Sequence, residues 1–238
     1  IVEYGTPEQI QTYLRPMFTT EEIWCQLFSE PGSGSDLASL STKAIDDGDG
    51  FIVNGQKVWT TLGHVAKWGL IVTRTDPDVP KHRGLTFFIV DMESDGVDVR
   101  PLRQITGEAE FNEVYFTDVK VPKENILGGL GDGWRVSLAI LMNERVAIGG
   151  NVRERGSGAP GHLVQLWNDK KLDDPVSRDK LIKLWIEQEA VRLTNVRAFE
   201  NREKGTPGPE GSTSKLYEAE INKASYEFGM EMLGNDAL

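Results

Sequence analysis

The sequence predicts an α+β protein with a short helical lead-in, a central antiparallel β-domain and a C-terminal helical part. Two observations carry this prediction. Short runs rich in Val, Ile, Phe, Thr and Trp, separated by Gly, Asp and Pro, extend from Ile23 to about Val121, and such spacing is typical of a compact antiparallel β-domain. After the glycine-rich turn from Gly128 to Gly133 the apolar period becomes helical, which predicts at least three helices beyond it.

The lead-in is predicted to be one short helix from Thr6 to Leu14. Thr6 can cap its N-terminus, and Pro7 suits the first helical position, where no N–H is needed. Pro16 is expected to end the helix, because proline cannot donate the backbone hydrogen bond that the next turn requires.

The clearest β signal is the dipeptide Asn54-Gly55 between the runs Phe51 to Val53 and Gln56 to Thr61. Asn-Gly between β-rich runs is the strongest short hairpin signal, so we expect a hairpin here. Four further strands are expected at Gly69 to Thr73, Thr86 to Val90, Val97 to Pro101 and Val114 to Phe116.

Helical periodicity predicts a long apolar helix from Trp134 to Ile148, interrupted by Asn143-Glu144-Arg145, and a second helix from Asp174-Pro175 to about Glu203. Asp suits the cap of the second helix and Pro its first turn. After a Pro/Gly loop at Gly205 to Gly211, a last helix presents one apolar face. That face is made of Tyr217, Ile221, Ala224, Phe228 and Met232.

Composition limits the classes of function. The net charge of -11 argues against a nucleic-acid partner, because phosphate binding needs clustered Lys and Arg. The single cysteine, Cys25, excludes an internal disulfide framework and fits a reducing, cytoplasmic compartment. The three histidines, His64, His82 and His162, lack metal-ligand spacing, so no metal site is expected.

Neither a membrane span nor an export signal is expected from the sequence. No stretch approaches the ~20 apolar residues that a membrane span needs, and no export signal is visible. The chain opens without Met and stops in what looks like a connection, so we expect it to be incomplete at both ends.

Two stretches are candidates for the walls of one cofactor site. The stretch Ser29 to Ser35 combines three serines with two glycines, which let a backbone approach a bulky ligand and offer hydroxyls and free N–H groups to phosphate oxygens. Trp59-Thr60-Thr61 adds a flat aromatic face and hydroxyls. Taken singly, the first stretch is equally compatible with a surface turn and Trp59 with a core position.

Glu144 is the strongest single candidate for a catalytic residue, since it interrupts an otherwise apolar helix. A carboxylate in an apolar wall has a raised pKa and can act as a base near neutral pH. The alternative is that Glu144 and Arg145 are polar positions that meet solvent or pair with other helices. The turn Gly129 to Gly133 is interpreted as a loop, because it follows no strand of a βαβ unit.

Four motifs together resemble the acyl-CoA dehydrogenase family, strongly from Thr6 to Ile148 and more weakly to Leu238. The run Gln26 to Asp36 resembles the family's flavin-binding signature, and Asn54 to Thr61 its second flavin segment. The run Phe116 to Pro122 resembles the usual exit from its β-domain, and Gly133-Trp134 with Asn143-Glu144-Arg145 resembles its next helix.

This resemblance implies the family's three-domain fold, with a helical N-terminal domain, a central β-domain and a C-terminal four-helix bundle. Residues 1–22 would then be the end of the first domain, 23–125 the flavin-binding β-domain and 126–238 an incomplete third domain.

The implied activity is FAD-dependent oxidation of an acyl-CoA thioester to the trans-2-enoyl-CoA, as in fatty acid β-oxidation and lipid degradation. Electrons would pass to electron-transfer flavoprotein. A bacterial, cytoplasmic homodimer or homotetramer is the expected assembly.

The resemblance also implies roles for individual residues. Glu144 would be the base, although members of the family place this glutamate either there or late in the C-terminal domain, beyond Leu238. Ser35 would bind the FAD pyrophosphate or the substrate's pantetheine, and Asn143 and Arg145 would line the acyl-CoA channel. The cofactor-binding set is Gln26, Phe28, Ser29, Gly34, Ser35, Trp59, Thr60 and Thr61, with Thr61 near flavin N5.

One departure from the family's pattern is expected to affect FAD binding. Where the family usually carries an Arg-x-x-Phe segment that reaches the neighbouring subunit's FAD, this chain has Arg153 to Gly158 and no Phe. Either Arg153 or Arg155 substitutes, or FAD binding at the subunit interface differs. The alternatives to the main prediction are an oxygen-using relative, such as an acyl-CoA oxidase or flavin monooxygenase, a non-catalytic subunit of a hetero-oligomeric dehydrogenase, and a simple binding module.

Overall fold

The structure is a computed structural model that describes residues 1–149, 152–204 and 208–237, with the side chains of 145–149 and 212 outside the description. It separates into two compact units, Ile1–Ile140 and Leu141–Leu238. The predicted class is confirmed: a curled β-sheet makes up most of the first unit, and the second is helical. No helix in the described ranges has the length and apolar character to cross a bilayer.

The first unit is built on one sheet whose strands run in the order β1-β4-β2-β3-β7-β6, with β5 paired to β4. The pairs are antiparallel except where β4 meets β1 and, at a single position, β2. All four further strands predicted from the sequence are present. The strands are β1 (Trp24–Leu27), β2 (Lys43–Asp46), β3 (Gly50–Thr61), β4 (Trp68–Arg74), β5 (Leu85–Asp91), β6 (Val97–Leu102) and β7 (Phe111–Pro122).

The predicted hairpin at Asn54-Gly55 is wrong, because both residues lie inside the single strand β3. The register of β3 on β7 shifts between Val53 and Gly55, and Gly55 has a φ of +155°. The Asn54 side chain accepts a hydrogen bond from Asp118 N at 2.9 Å and donates one to Asp118 Oδ1 at 3.0 Å. Residue types that favour a tight turn therefore serve a β-bulge here, because β7 offers a partner on both sides of them.

The lead-in helix α1 runs from Pro7 to Phe18, and Thr6 caps it together with Gln9 in a reciprocal capping box. The prediction that Pro16 ends the helix is wrong. Pro16 lies in the last turn, where its missing N–H costs only one bond, and Thr19 N still donates to Arg15 O at 3.0 Å.

The sheet packs over an apolar core, and the members of this core belong to the first unit. Leu27, Val53, Ile71, Phe88 and Val119 are among its fully buried members. Burying each such side chain contributes about 1.5–3 kcal/mol relative to exposure, so this core keeps the strand ends that frame the candidate site in place.

The remaining helices are α2 (Gly133–Gly149), α3 (Ala159–Asp169), α4 (Pro175–Glu203) and α5 (Glu210–Leu233), with short 3₁₀ turns at Leu37–Ser39, Lys123–Asn125 and Gly234–Ala237. Helix α4 begins as predicted, with Asp174 accepting from Ser177 N at 2.7 Å. The sequence prediction did not include α3. The predicted loop at Gly205 to Gly211 lies in part outside the described residues.

The predicted apolar face of α5 is confirmed with one exception. Ile221 and Phe228 are buried, and Ala224 and Met232 pack against the cluster around Phe228. Tyr217 is 61% exposed, so its assignment to that face is wrong. Its phenolic hydroxyl makes it amphipathic, and an amphipathic ring tolerates solvent where an aliphatic side chain would not.

Candidate functional site

A cleft of about 290 Å³ opens where β1 and the residues after it meet the end of β3. Pockets that hold small molecules and cofactors have volumes from about 300 Å³ upwards. The cleft is lined by Trp24, Cys25, Gln26, Phe28, Ser29, Val58, Trp59, Thr61 and Leu62. Of the two stretches that the sequence nominated, the first contributes Ser29 to this lining and the second contributes Trp59 and Thr61.

Trp59 stands at the mouth of this cleft because of a second irregularity in β3. The register on β7 shifts between Lys57 and Thr60, and Trp59 has a φ of +60°, which is unusual for a non-glycine residue. Trp59 is 64% exposed, and its ring lies nearly perpendicular to that of Phe111, with 6.3 Å between the ring centres. The alternative interpretation of Trp59 as a core residue is therefore excluded, and a flat aromatic face is available to a ligand.

The two threonines that follow Trp59 have different environments. Thr61 lines the cleft. Thr60 is buried in the sheet, and its carbonyl accepts a hydrogen bond from Asn112 Nδ2 at 2.9 Å. The structure does not bring the Thr60 side chain to the cleft, so its predicted cofactor contact has no geometric support.

The loop from Ser29 to Ser35 is held in shape by its own hydrogen bonds. Glu30 N donates to Ser33 O at 2.8 Å, and Ser33 N donates back to Glu30 O at 3.0 Å. The Ser33 hydroxyl donates to Asp36 O at 2.8 Å. Ser33 is thereby occupied within the chain, whereas Ser29 lines the cleft.

Gly34 and Ser35 lie away from the described cleft lining. Among the described residues, nothing comes within 4 Å of a Cβ built on Gly32 or on Gly34. The chain's own packing therefore does not require glycine at these positions. Ser35 is exposed beside them, and its predicted contact with a phosphate or pantetheine stays a prediction.

A buried ion pair, Lys57 with Glu30, joins the two walls, and the sequence analysis did not find it. Lys57 Nζ lies 2.9 Å from Glu30 Oε1, with side-chain exposures of 0% and 4%. Lys57 Nζ also donates to Phe28 O at 3.0 Å. Glu30 accepts further hydrogen bonds from the backbone and hydroxyl of Ser41, at 2.6 and 2.8 Å, and from Thr42 N at 2.9 Å.

Burial disfavours the charged form of both groups in this pair, but its effect on the pKa is overcome only at Glu30. At Glu30, burial alone raises the pKa of the carboxyl, but Lys57 and the donors of Ser41 and Thr42 together lower it to about 2. At Lys57, complete burial lowers the pKa of the ammonium to about 8 against the pull of Glu30. The carboxylate, with several donors in contact, is the better-stabilised member of the pair.

The cleft has the features that a flat, polar-edged cofactor requires. Ser29 and Thr61 offer hydroxyls, and Phe28 and Trp59 offer aromatic surface. The buried Nε1 of Trp24, another lining residue, has no hydrogen-bond partner among the described residues. A buried donor without a partner is costly, so a ligand acceptor at this point would satisfy it.

The candidate base lies in the second unit and is described separately. Asn143 is exposed and Glu144 half-buried on α2, while the side chain of Arg145 lies outside the described residues. Arg153 pairs with Glu218 at 2.7 Å. Arg155 lies over the Trp185 ring at 5.3 Å and within 3.8 Å of Glu189. Both arginines that could replace the missing Arg-x-x-Phe contact thus have acidic partners within their own unit.

Two family models match the chain. The model described as acyl-CoA dehydrogenase, middle domain, matches residues 25–119. The model described as acyl-CoA dehydrogenase, C-terminal domain, matches residues 131–238.

Individual relatives agree with the family models. Acyl-CoA dehydrogenase FadE34 of Mycobacterium tuberculosis is 44% identical over 98% of this chain and 32% of its own length. An acyl-CoA dehydrogenase structure from Geobacillus kaustophilus is 30% identical with a TM-score of 0.88, over 100% of this chain and 65% of that one. The ChsE4-ChsE5 complex from Mycobacterium tuberculosis is 29% identical with a TM-score of 0.79, over 100% of this chain and 62% of that one. The chain therefore spans less than two thirds of each relative.

Proposed function

Because this chain belongs to the acyl-CoA dehydrogenase family, we propose that the protein uses FAD to oxidise an acyl-CoA thioester to the trans-2-enoyl-CoA. The cleft is the observation that carries the proposal. Gln26, Phe28, Ser29, Trp59 and Thr61, all assigned to the flavin from sequence motifs, line one space of about 290 Å³.

The residues of this cleft fit FAD by their chemistry. Trp59 and Phe28 would cover an aromatic ring and exclude water from it, while the Ser29 and Thr61 hydroxyls and Trp24 Nε1, which has no partner among the described residues, would meet its polar edge. The bound FAD supplies the hydride acceptor. Gly34 and Ser35 are proposed to lie along its pyrophosphate, because the space beside Gly34 is open.

Glu144 is the proposed base that removes the α-proton of the thioester. Its carboxylate is half-buried on a helix whose sequence is otherwise mostly apolar. Hydrogen bonds to the thioester carbonyl would make the α-carbon more acidic and shift the equilibrium toward transfer to a carboxylate. Asn143 and Arg145 are proposed to line the acyl-CoA channel beside it.

Electron-transfer flavoprotein is the proposed electron acceptor, and a homodimer or homotetramer the proposed assembly. A cytoplasmic location belongs to the proposal, since Cys25 is a buried free thiol that fits a reducing compartment.

A heteromeric dehydrogenase is the second candidate. Arg153 and Arg155 are engaged inside their own unit, which weakens the expectation that either reaches a neighbouring FAD. One solved relative is a complex of two different chains, ChsE4 and ChsE5. In that case the partner would complete or contribute the catalytic site.

The test begins with the flavin content of the purified full-length protein and its anaerobic bleaching by straight-chain, branched and sterol side-chain acyl-CoA thioesters. Glu144→Gln is expected to slow bleaching by roughly 10²–10⁴-fold, the usual contribution of a general base. Glu187→Gln, at an exposed glutamate of the same unit, is the matched control and should bleach at the wild-type rate.

Each alternative has its own outcome. Bleaching of Glu144→Gln at the wild-type rate would remove Glu144 as the base. Oxygen consumption without a carrier flavoprotein would favour the oxygen-using relative. A colourless protein that takes up FAD only with a partner chain would favour the non-catalytic subunit.

A further inference from the structure

The two walls of the cleft are joined at consecutive residues. On the first wall, the carbonyls of Phe28 and Ser29 point to β3: Phe28 O accepts from Lys57 Nζ at 3.0 Å, and Ser29 O accepts from Val58 N at 2.9 Å. On the second wall, Val58 and Trp59 follow directly after Lys57 and line the cleft. One lysine side chain and one backbone hydrogen bond thus join the first wall to the second.

The Glu30 carboxylate connects the Lys57 ammonium to the residues that precede β2. The carboxylate binds Lys57 Nζ and the Ser41 and Thr42 backbone N–H groups at the start of the chain leading into β2. The Phe28 to Glu30 segment is therefore held from β3 on one side and from the approach to β2 on the other, and both charges are buried.

Stability alone does not account for this arrangement. A buried ion pair costs about as much to desolvate as it returns, and well-packed apolar residues of similar volume are often as stable or more so. The pair instead fixes the orientation of the groups that it binds, because charge-assisted hydrogen bonds constrain geometry more tightly than apolar contacts do. The group whose geometry they constrain is the backbone of Phe28 and Ser29, both of which line the cleft.

We propose that Lys57 and Glu30 are positioning residues that fix the Phe28–Ser29 wall against the Trp59 wall, and so set the affinity and the visible spectrum of the flavin bound between them. The inference rests on the proposed function, since it takes FAD as the ligand of the cleft. Neither residue touches the flavin in this scheme; both act through the Phe28 carbonyl and the peptide that follows it.

The experiment compares FAD binding to apoprotein prepared from the full-length protein and its variants. The Lys57→Met/Glu30→Gln double variant removes both charges, so no unpaired charge is left in the core and the fold is retained. It lacks the bond from Lys57 to Phe28 O, so part of the free energy of FAD binding would be spent on ordering the Phe28–Ser29 wall. The dissociation constant for FAD is therefore expected to rise roughly tenfold or more, with a shift in the flavin's visible bands and weaker quenching of tryptophan fluorescence.

Two comparisons separate positioning from general destabilisation. Urea unfolding of the apoprotein reports the stability of the double variant directly. Lys67→Met removes a lysine from the half-buried pair with Asp91, 2.9 Å apart in the same unit, and should leave both the FAD affinity and the spectrum unchanged.

The outcomes are distinct for the two proposals. A double variant with wild-type apoprotein stability but weaker FAD binding and an altered spectrum supports the positioning role. A double variant that binds FAD with the wild-type constant and spectrum overturns the role and leaves the proposed function standing. Wild-type protein that does not bind FAD overturns both.

Discussion

Replacing Gly55 with alanine tests whether β3 passes through a bulge that only glycine accommodates. Gly55 has a φ of +155°, and a Cβ built there would lie 2.7 Å from both Cα and Cβ of Thr42. Backbone strain of this kind costs about 1–3 kcal/mol, and overpacking costs about another 1–3 kcal/mol. Gly55→Ala is therefore expected to lower the free energy of unfolding by about 2–6 kcal/mol.

Two other glycines of the same unit separate the cost of backbone strain from the cost of overpacking. Gly48 has a φ of +101° but no described atom within 4 Å of a built Cβ, so Gly48→Ala reports strain alone, about 1–3 kcal/mol. Gly32 has neither a positive φ nor a near neighbour among the described atoms, so Gly32→Ala should stay within about 0.5 kcal/mol of wild type.

The assay is urea unfolding followed by tryptophan fluorescence, with the free energy obtained by linear extrapolation. If Gly55→Ala costs no more than Gly48→Ala, the close approach of Thr42 is not what requires glycine in the bulge, and the reasoning from that contact is refuted.

Two further predictions concern the ion pair and the helical core. The pKa of Glu30 is lowered to about 2 from its ordinary value of 4.5. Its contribution to stability is therefore present above pH 4.5 and lost as the pH falls toward 2. Unfolding free energies measured across this pH range should show the loss in wild type and not in the Lys57→Met/Glu30→Gln variant. Phe228→Ala should lower the unfolding free energy of the helical unit by about 3–5 kcal/mol, since Phe228 is 2% exposed. Phe199→Ala, at a residue that is 47% exposed, should lower it by less than about 1 kcal/mol in the same measurement. Equal losses for the two variants would contradict the described core.

Most of the strands and helices could be predicted because their signals are local. The strands β4, β5 and β6 are short runs of β-branched and aromatic residues bounded by turn formers, and their bounds agree with prediction within one residue. The cap of α4 at Asp174 needs only the residues next to it. Helix α3 was missed because its core residues, such as Leu163, lie among Gly, Pro, His and Asn residues that weaken the helical period.

The candidate site was predictable where the residue types themselves indicate a ligand. Ser29, Trp59 and Thr61 stand in motifs whose side chains suit a flat, polar-edged molecule, and the structure brings them into one cleft. The burial of Thr60 could not be predicted in the same way, because the irregular register between Lys57 and Thr60 interrupts the simple alternation of faces along β3.

Residue types and short spacings were enough to predict the class of fold, and the resemblance of four motifs was enough to predict the family. Together they nominated five of the residues that line the cleft. That Asn54-Gly55 forms a bulge emerged only from the folded chain, because the pairing of β3 with a strand some sixty residues later outweighs a local turn preference. The burial of Lys57 likewise required the three-dimensional arrangement. A lysine is usually exposed, and nothing near it in sequence shows that Glu30, 27 residues earlier, offers the carboxylate that lets it be buried behind the cleft.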